Sequence, residues 1–222
     1  MVLYSYRDRH MSTIWTNNKI RGNKNCQDLL ISSKARRQFV FVKPTSIAII
    51  GFPTSGKTTL GRALAKATGI HFLDYEQLAA CAPPPAVDLA SGTPEILERE
   101  RGRMGVVYQV GHAVVEGTLR LGESVIIALP YASVPGRQYL AAAVQRGCGV
   151  LKLVHVVYDV TPDELARRVA AKGLGPEWVP YHWPMLARFQ EIEGPHITVR
   201  MEGGEEGTQA AVKAAIKYIN EE

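Results

Sequence analysis

The sequence predicts an α/β fold built on a five-stranded parallel sheet with helices on both faces, and three observations predict it. Apolar runs such as Ile47-Ala48-Ile49-Ile50 and Ser124 to Leu129 lack period-2 alternation, which marks strands buried on both faces. Segments of helical period separate these runs, and strands that alternate with helices pair in parallel. The first run also leads directly into a glycine-rich turn that opens a helix.

Taken in order, Ser46 to Ile50 reads as the first strand and Lys57 to Thr68 as its helix, closed by Gly69 as C-cap. Ile70 to Leu73 is the second strand and ends at Asp74. Ala79 to Gly92, with Pro83-Pro84-Pro85, reads as loop. Thr93 and Pro94 supply an N-cap and an N1 proline, followed by Glu95 and Glu98. The helix they open runs toward Arg120, with Gly102, Gly105 and Gly111 expected to break or bend it. Ser124 to Leu129 is the third strand, Pro135 to Arg146 the next helix, and Val150 to Tyr158 the fourth strand. Thr161-Pro162-Asp163-Glu164 starts another helix, with Glu164 at the capping-box position. Gly173 to Pro184 is Gly/Pro-rich and reads as irregular chain. His196 to Met201 is the last strand, and Thr208 to Ile219 the closing helix. Right-handed crossovers bring every strand's C-terminal end to one edge. Asp74, Pro130, Tyr131, Asp159 and Glu202 to Gly204 should gather there.

Composition bounds the rest. At 222 residues and 46% hydrophobic, the chain buries a full core as one domain. No apolar run reaches the ~18 residues that span a bilayer, and no signal-peptide core is visible. These features predict a soluble, cytoplasmic protein without a membrane partner. Cys26, Cys81 and Cys148 stand far apart with no C-x-x-C, which argues against a disulfide framework or a zinc site. The net charge of +5 is unevenly spread. Residues 1–43 carry nine Lys/Arg against two Asp, and the remainder 17 basic against 19 acidic side chains. Residues 1–43 therefore read as a basic, disordered leader or extension, and 44–222 as the folded domain. A basic arm of this kind could touch nucleic acid, but the near-neutral domain offers no face for it.

Gly51-Phe52-Pro53-Thr54-Ser55-Gly56-Lys57-Thr58 fits G-x-x-x-x-G-K-[ST], the Walker A loop, in the strand-then-helix context that loop requires. Glycines let the backbone curl so that successive N–H groups face one phosphate, and the helix N-terminus adds its positive end. Gly51, Pro53, Thr54, Ser55, Gly56, Lys57, Thr58 and Thr59 are the expected nucleotide-binding residues. Lys57 reaches the β/γ-phosphates, and the Thr58 hydroxyl can ligate Mg²⁺.

The stretch Gly51 to Leu78, with Gly69, Phe72, Asp74 and Glu76 in a G-x-x-F-x-D-x-D-like pattern, resembles the small P-loop kinases. It is most similar to the shikimate- and gluconate-kinase-like group. Leu121 to Ile127 is similar to the third strand of predicted kinases related to chloramphenicol phosphotransferase and the zeta toxins. The resemblance implies a three-layer P-loop fold of the nucleoside-monophosphate-kinase type, with a lid at about 172–184. It implies ATP and Mg²⁺ as cofactors, with Asp74 as metal-side or proton-accepting carboxylate and Arg167 or Arg168 as lid cations. Glu76, Arg99 and Tyr131 fall where such kinases bind the acceptor. Blander readings stand beside these: Asp74 as a helix N-cap, Arg167 and Arg168 as a solvated face, and Arg99, Arg101 and Arg103 as surface i,i+4 pairs. Trp178, Tyr181, His182 and Trp183 read as pocket lining or packing anchors, and His155 as a core histidine.

Two features depart from the pattern. The third strand ends in Ala128-Leu129 where a Walker B aspartate is usual, and Pro130-Tyr131 replaces the triple glycine of shikimate kinases. The expected activity is phosphoryl transfer from ATP to a hydroxyl of a sugar acid, amino sugar, nucleotide sugar or antibiotic, by a monomer or homodimer. A nucleic-acid end kinase using residues 1–43, and a nucleotide-binding regulatory module without transfer chemistry, are the alternatives.

Overall fold

The computed structural model describes residues 43–82, 94–176, 178–201 and 204–221. The side chains of Glu76, Tyr181 and residues 94–101 are outside that description, and so, up to residue 42, is the leader reading of residues 1–43. The elements run β1 (Thr45–Gly51), α1 (Lys57–Thr68), β2 (His71–Leu73), α2 (Tyr75–Ala79), α3 (Pro94–Arg120) and β3 (Val125–Ala128). They continue α4 (Val134–Arg146), β4 (Val150–Val157), α5 (Pro162–Ala170), α6 (Trp178–Leu186), β5 (His196–Arg200) and α7 (Gly204–Asn220).

The five strands form one parallel sheet in the order β2-β3-β1-β4-β5. Alternate residues of β1 feed opposite layers, as strand geometry requires. Ile47 and Ile49 pack with Leu60 and Leu64 of α1 and Ala211 and Ala215 of α7. Ala48 and Ile50 face Val107 and Val115 of α3 and Leu140 and Val144 of α4. The fold is thus the three-layer arrangement the sequence predicts, and it is that of the P-loop NTPases.

Local chemistry explains the boundaries. Gly69 adopts the left-handed conformation (φ 74°) and its N–H returns to the Ala65 carbonyl, ending α1. Gly61 is needed for contact rather than conformation, because a Cβ there would lie 2.3 Å from the Phe72 ring. Ser133 caps α4 by accepting from the Gly136 N–H, and Thr161 caps α5 by accepting from the Glu164 N–H at 3.1 Å.

Several expectations need correction. Helix α3 runs unbroken for 27 residues through all three glycines. Gly111 packs a backbone turn against Ile127 and Leu78, where a Cβ would meet Ile127 at 3.1 Å. Burial against β3 outweighs the roughly 1 kcal/mol propensity cost of each glycine. Residues 178–186 form a helix, not irregular chain. Pro180 falls in its first turn, where no intrahelical donor is lost, and Pro184 falls inside it. Trp178, Val179, Met185 and Leu186 pack around Phe52, Leu165 and Val169, and this burial holds the segment helical. Cys81 is free and exposed. Among the described residues, no helix is long and apolar enough to cross a membrane.

Candidate functional site

Strand β1 is the centre of the sheet and delivers the glycine-rich loop to its C-terminal edge. The Gly51 N–H donates to the Pro130 carbonyl at 3.2 Å, tying the loop to the end of β3. Its φ is 145°, and a Cβ would meet the Val156 carbonyl at 2.4 Å. Only glycine fits there. Gly56 (φ 98°) turns into α1 in the left-handed conformation, with no side chain capping the helix and no acid in its first turn. The free first-turn N–H groups and the helix dipole suit an anion. Ser55 is fully buried and its Oγ has no partner among the described residues.

Thr54 is the strained member. It holds φ 66° without being glycine, and two neighbours pin it there. Its Oγ1 shares a hydrogen bond with the Tyr158 hydroxyl at 3.1 Å, and its carbonyl accepts from Arg168 Nη1 at 3.1 Å. The Arg168 guanidinium lies 4.0 Å over the Tyr158 ring, and Arg168 Nε pairs with Glu164. Arg167, one residue earlier, points away: it makes a bidentate pair with Glu164 and is 66% exposed. The structure therefore brings Arg168 to the loop and leaves Arg167 on the helix surface.

Lys57 Nζ donates to the Phe52 carbonyl at 2.7 Å, bridging the loop across its own mouth. Burial and then the nearby charge of Lys172 push its ammonium down to about 7. Burial, Lys172 and Lys57 likewise push His182 down to about 4, so that imidazole is neutral at pH 7. Cationic groups from the loop and from the chain after α5 thus converge where a polyphosphate would neutralise them.

Asp74 is buried, and both of its carboxylate oxygens have protein partners. Oδ1 accepts from the Gln77 N–H while Gln77 Oε1 accepts from the Asp74 N–H, a reciprocal cap on α2. Oδ2 accepts from Arg62 at 3.1 Å. Arg62 is one helical turn beyond Thr58, so this pair sets Asp74 against the face of α1 that carries Thr58. The N-cap reading of Asp74 describes what the carboxylate does in this structure. The backbones of Glu76 and Arg99 lie in α2 and α3, and their side chains are among those not described. Arg103 donates to the Tyr75 hydroxyl at 2.5 Å, tying α3 to α2. Asp159 is exposed and pairs with Arg200, as a turn residue would.

Beside the loop lies a cavity of about 460 Å³, bounded by Gly51 to Pro53, α3, the β3–α4 loop and the chain at 185–189. Tyr131 forms its inner wall. Its backbone is left-handed (φ 45°), with its N–H held by the Tyr108 hydroxyl at 3.1 Å and its carbonyl by Arg137 at 2.9 Å. Arg137 also donates to the Glu191 carbonyl at 2.5 Å. The Gln190 N–H reaches the Ala132 carbonyl, and Phe189 stacks on His155 at 4.9 Å. Asp74, Arg167 and Arg168 do not line this cavity. Tyr108, His112, Arg137, Tyr158 and Phe52 are site residues that sequence reasoning did not single out. Tyr108 and His112 stand at i and i+4 on a helix read as broken, and that spacing is the signal available for them.

The Gly51–Thr58 loop at the end of the central strand, in a sheet of this order, defines a P-loop domain of kinase type. The chain belongs to the AAA_33 family, described as an AAA domain, whose model matches residues 47–180. No curated protein matches the chain. Among solved structures, it is similar to a sugar kinase from Janibacter sp. HTCC2649, at 15% identity over 80% of this chain and 95% of that one, TM-score 0.59. It is similar to a gluconokinase from Sinorhizobium meliloti 1021, at 20% identity over 79% and 94%, TM-score 0.54. Kti12 from Chaetomium thermophilum, solved with ADP-AlF3, is also similar, at 15% identity over 79% and 100%, TM-score 0.55. These likenesses establish the fold.

Proposed function

We propose that this protein transfers the γ-phosphoryl group of ATP to a hydroxyl of a small molecule. The observation that carries the reading is that Gly51 to Pro53 of the Walker A loop form one wall of a separate cavity of about 460 Å³. A phosphate-binding loop with an adjoining aromatic-lined pocket suits a two-substrate transfer. An ATP-hydrolysing switch has no need of such a pocket.

In-line phosphoryl transfer asks mostly for positioning and for neutralising charge on the moving group. The acceptor oxygen forms a bond to the γ-phosphorus, the bond to the β,γ-bridging oxygen breaks, and the acceptor's proton departs. Lys57 holds the β/γ-phosphates, while Gly56, Thr58 and Thr59 present first-turn N–H groups. Arg168 is the lid cation, because it already reaches the loop, and Arg167 steadies the shared Glu164. The orphaned Ser55 hydroxyl and the uncapped first turn fit a phosphate group. Thr58, with Asp74 acting through water, would hold Mg²⁺, which supplies charge neutralisation when bound. Among the described residues no three His, Cys, Asp or Glu cluster as a dedicated metal site, so phosphates and water would supply the rest of its ligands. Asp74, which does not line the cavity, would take the acceptor's proton through water once Arg62 releases it. Glu76 and Arg99 remain acceptor-side proposals.

The engagement of Asp74 with Arg62 and Gln77, and the absence of an acid after β3, favour a second reading: a nucleotide-binding module without transfer chemistry. A screen of hydroxyl compounds for Mg·ATP consumption, run on wild type and Asp74→Asn, separates the two. Transfer predicts an acceptor that speeds ADP formation and a large loss in Asp74→Asn. Equal, slow turnover in both proteins with every compound would establish the second.

A further inference from the structure

Resting on the phosphotransferase reading, we propose that the cavity beside the loop takes a flat aromatic alcohol rather than a sugar or sugar acid. In this proposal a polar substituent of its ring pairs with Tyr131 or His112. Six rings surround the space: Phe52, Tyr108, His112, Tyr131, Tyr139 and Phe189. Among the described residues its lining includes no Asp, Glu, Asn or Gln, and the one formal charge among them, Arg188, is exposed. A polyhydroxylated acceptor needs a hydrogen-bonding partner for each hydroxyl it buries, and this wall has too few. A flat ring needs faces and edges. The wall offers them as a T-shaped Tyr108–Tyr131 pair at 5.1 Å and a stacked His112–Tyr131 pair at 5.9 Å. The volume matches a molecule of drug-like size.

The inner wall also has two loose ends. The Tyr131 hydroxyl and His112 Nε2 are both buried, and neither has a hydrogen-bond partner among the described residues. Such groups are costly unless something pairs with them. Burial and the charge of Arg146 keep His112 neutral, so it offers one donor or one acceptor rather than a charge. A carboxylate therefore finds no charged partner at the inner wall to offset its desolvation, whereas a neutral phenol or amide needs none. Among the described residues the lining also offers no carboxylate or amide side chain to pair with a nucleobase edge.

The test uses the full chain. Binding of 4-hydroxyphenethyl alcohol and 4-(hydroxymethyl)benzamide is measured calorimetrically with ADP present, and each is then tried as acceptor with Mg·ATP. Gluconate, shikimate, glucose and adenosine are compared. The aryl alcohols should bind and accelerate ADP formation where the sugars do not. Ala132→Leu, which adds bulk to the cavity wall, should abolish their binding while ADP binding, measured in parallel, persists. Tyr131→Phe should raise KM about tenfold, as expected for one lost hydrogen bond, with kcat within about twofold. The same variant should raise the melting temperature by about 2 °C, because it removes an unpaired buried hydroxyl. A merely structural role for Tyr131 would not split the two effects in this way. Saturation by gluconate, shikimate, glucose or adenosine, with no binding of the aryl alcohols, overturns the proposal. Aryl alcohols that bind, lose binding in Ala132→Leu, yet leave ATP turnover unchanged would support the ring site and sink the phosphotransferase reading.

Discussion

Arg168 donates to the carbonyl of Thr54, the one non-glycine of the Walker A loop held in the left-handed conformation. Helix α5 is thereby fastened to the Walker A loop through a cation that lies over Tyr158 and is steadied by Glu164. A guanidinium placed there can exchange a backbone carbonyl for a phosphate oxygen with little movement. Arg168→Ala should lower kcat about a hundredfold or more, toward the range of arginine fingers. Arg167→Ala, which removes an exposed pair, should cost far less, about threefold. Steady-state kinetics of the two variants check the assignment, and the reverse ranking would overturn it.

Lys57 links nucleotide binding to pH. With its ammonium pushed down to about 7, it is mostly neutral at pH 8 in the free protein. A polyphosphate beside it favours the charged form and raises the pKa again. ADP binding should therefore take up close to one proton at pH 8 and almost none at pH 6. Calorimetry in buffers of different ionisation enthalpy measures the number directly. The stability effect has the matching sign. The unfolded chain holds the Lys57 proton up to the ordinary value of 10.5, so this group's contribution to stability rises between pH 7 and 10.5.

His155 and His182 act at the acid end. Both are pushed down to about 4, His155 by burial first and then by neighbouring positive charge, and His182 by burial and then by Lys172 and Lys57. Their ordinary value is near 6.5, so between pH 6.5 and 4 the unfolded state binds protons that the folded state refuses. Stability should fall as pH drops through that window, by up to about two protons' worth of slope. Thermal unfolding from pH 7 to 4.5 checks it, and His182→Asn should reduce the slope.

Gly61 and Phe72 make a packing prediction. A methyl group on residue 61 would sit 2.3 Å from the Phe72 ring, so Gly61→Ala forces α1 away from β2. A loss of roughly 1–3 kcal/mol is expected despite alanine's better helix propensity. Phe72→Leu in the same chain should recover part of it, read as the denaturant midpoint of the double variant.

Much of this architecture is legible in the chain because its causes are local. Buried strands, the Gly69 cap and the Gly51–Thr58 loop are written in residues that lie next to one another. Helix α3 is not, because Gly111 is tolerated only through its packing on Ile127, a contact made across the fold. Helix α6 is hidden by Pro180 and Pro184 and forms because Phe52 and Leu165 give it something to bury. The choice between Arg167 and Arg168 also escapes the sequence. Neighbours on a helix point about 100° apart, and only the docking of α5 decides which meets Thr54. The cavity is assembled from α3, the β3–α4 loop and residues 185–189, stretches that no spacing rule connects.

Asp74 offers the sharpest separation of structure from chemistry. Asparagine retains the side-chain oxygen that caps α2 but loses the exposed Arg62 pair, so Asp74→Asn should cost up to about 1 kcal/mol, whereas Asp74→Ala, which loses both, should cost about 1–2 kcal/mol. If the carboxylate serves transfer, both variants lose activity although Asp74→Ala loses more stability. Chemical denaturation and turnover of the same two preparations test the pair together.

The central claim is that the γ-phosphoryl group leaves ATP for a carbon-bound hydroxyl in the cavity beside Gly51 to Pro53. The most direct measurement follows label from [γ-³²P]ATP into a phosphate ester, with the full chain, Mg²⁺ and a library of hydroxyl compounds. The account predicts one ester formed per ADP, lost in Lys57→Ala and Arg168→Ala. Label recovered only as inorganic phosphate, at a rate that no compound in the library raises, would contradict it.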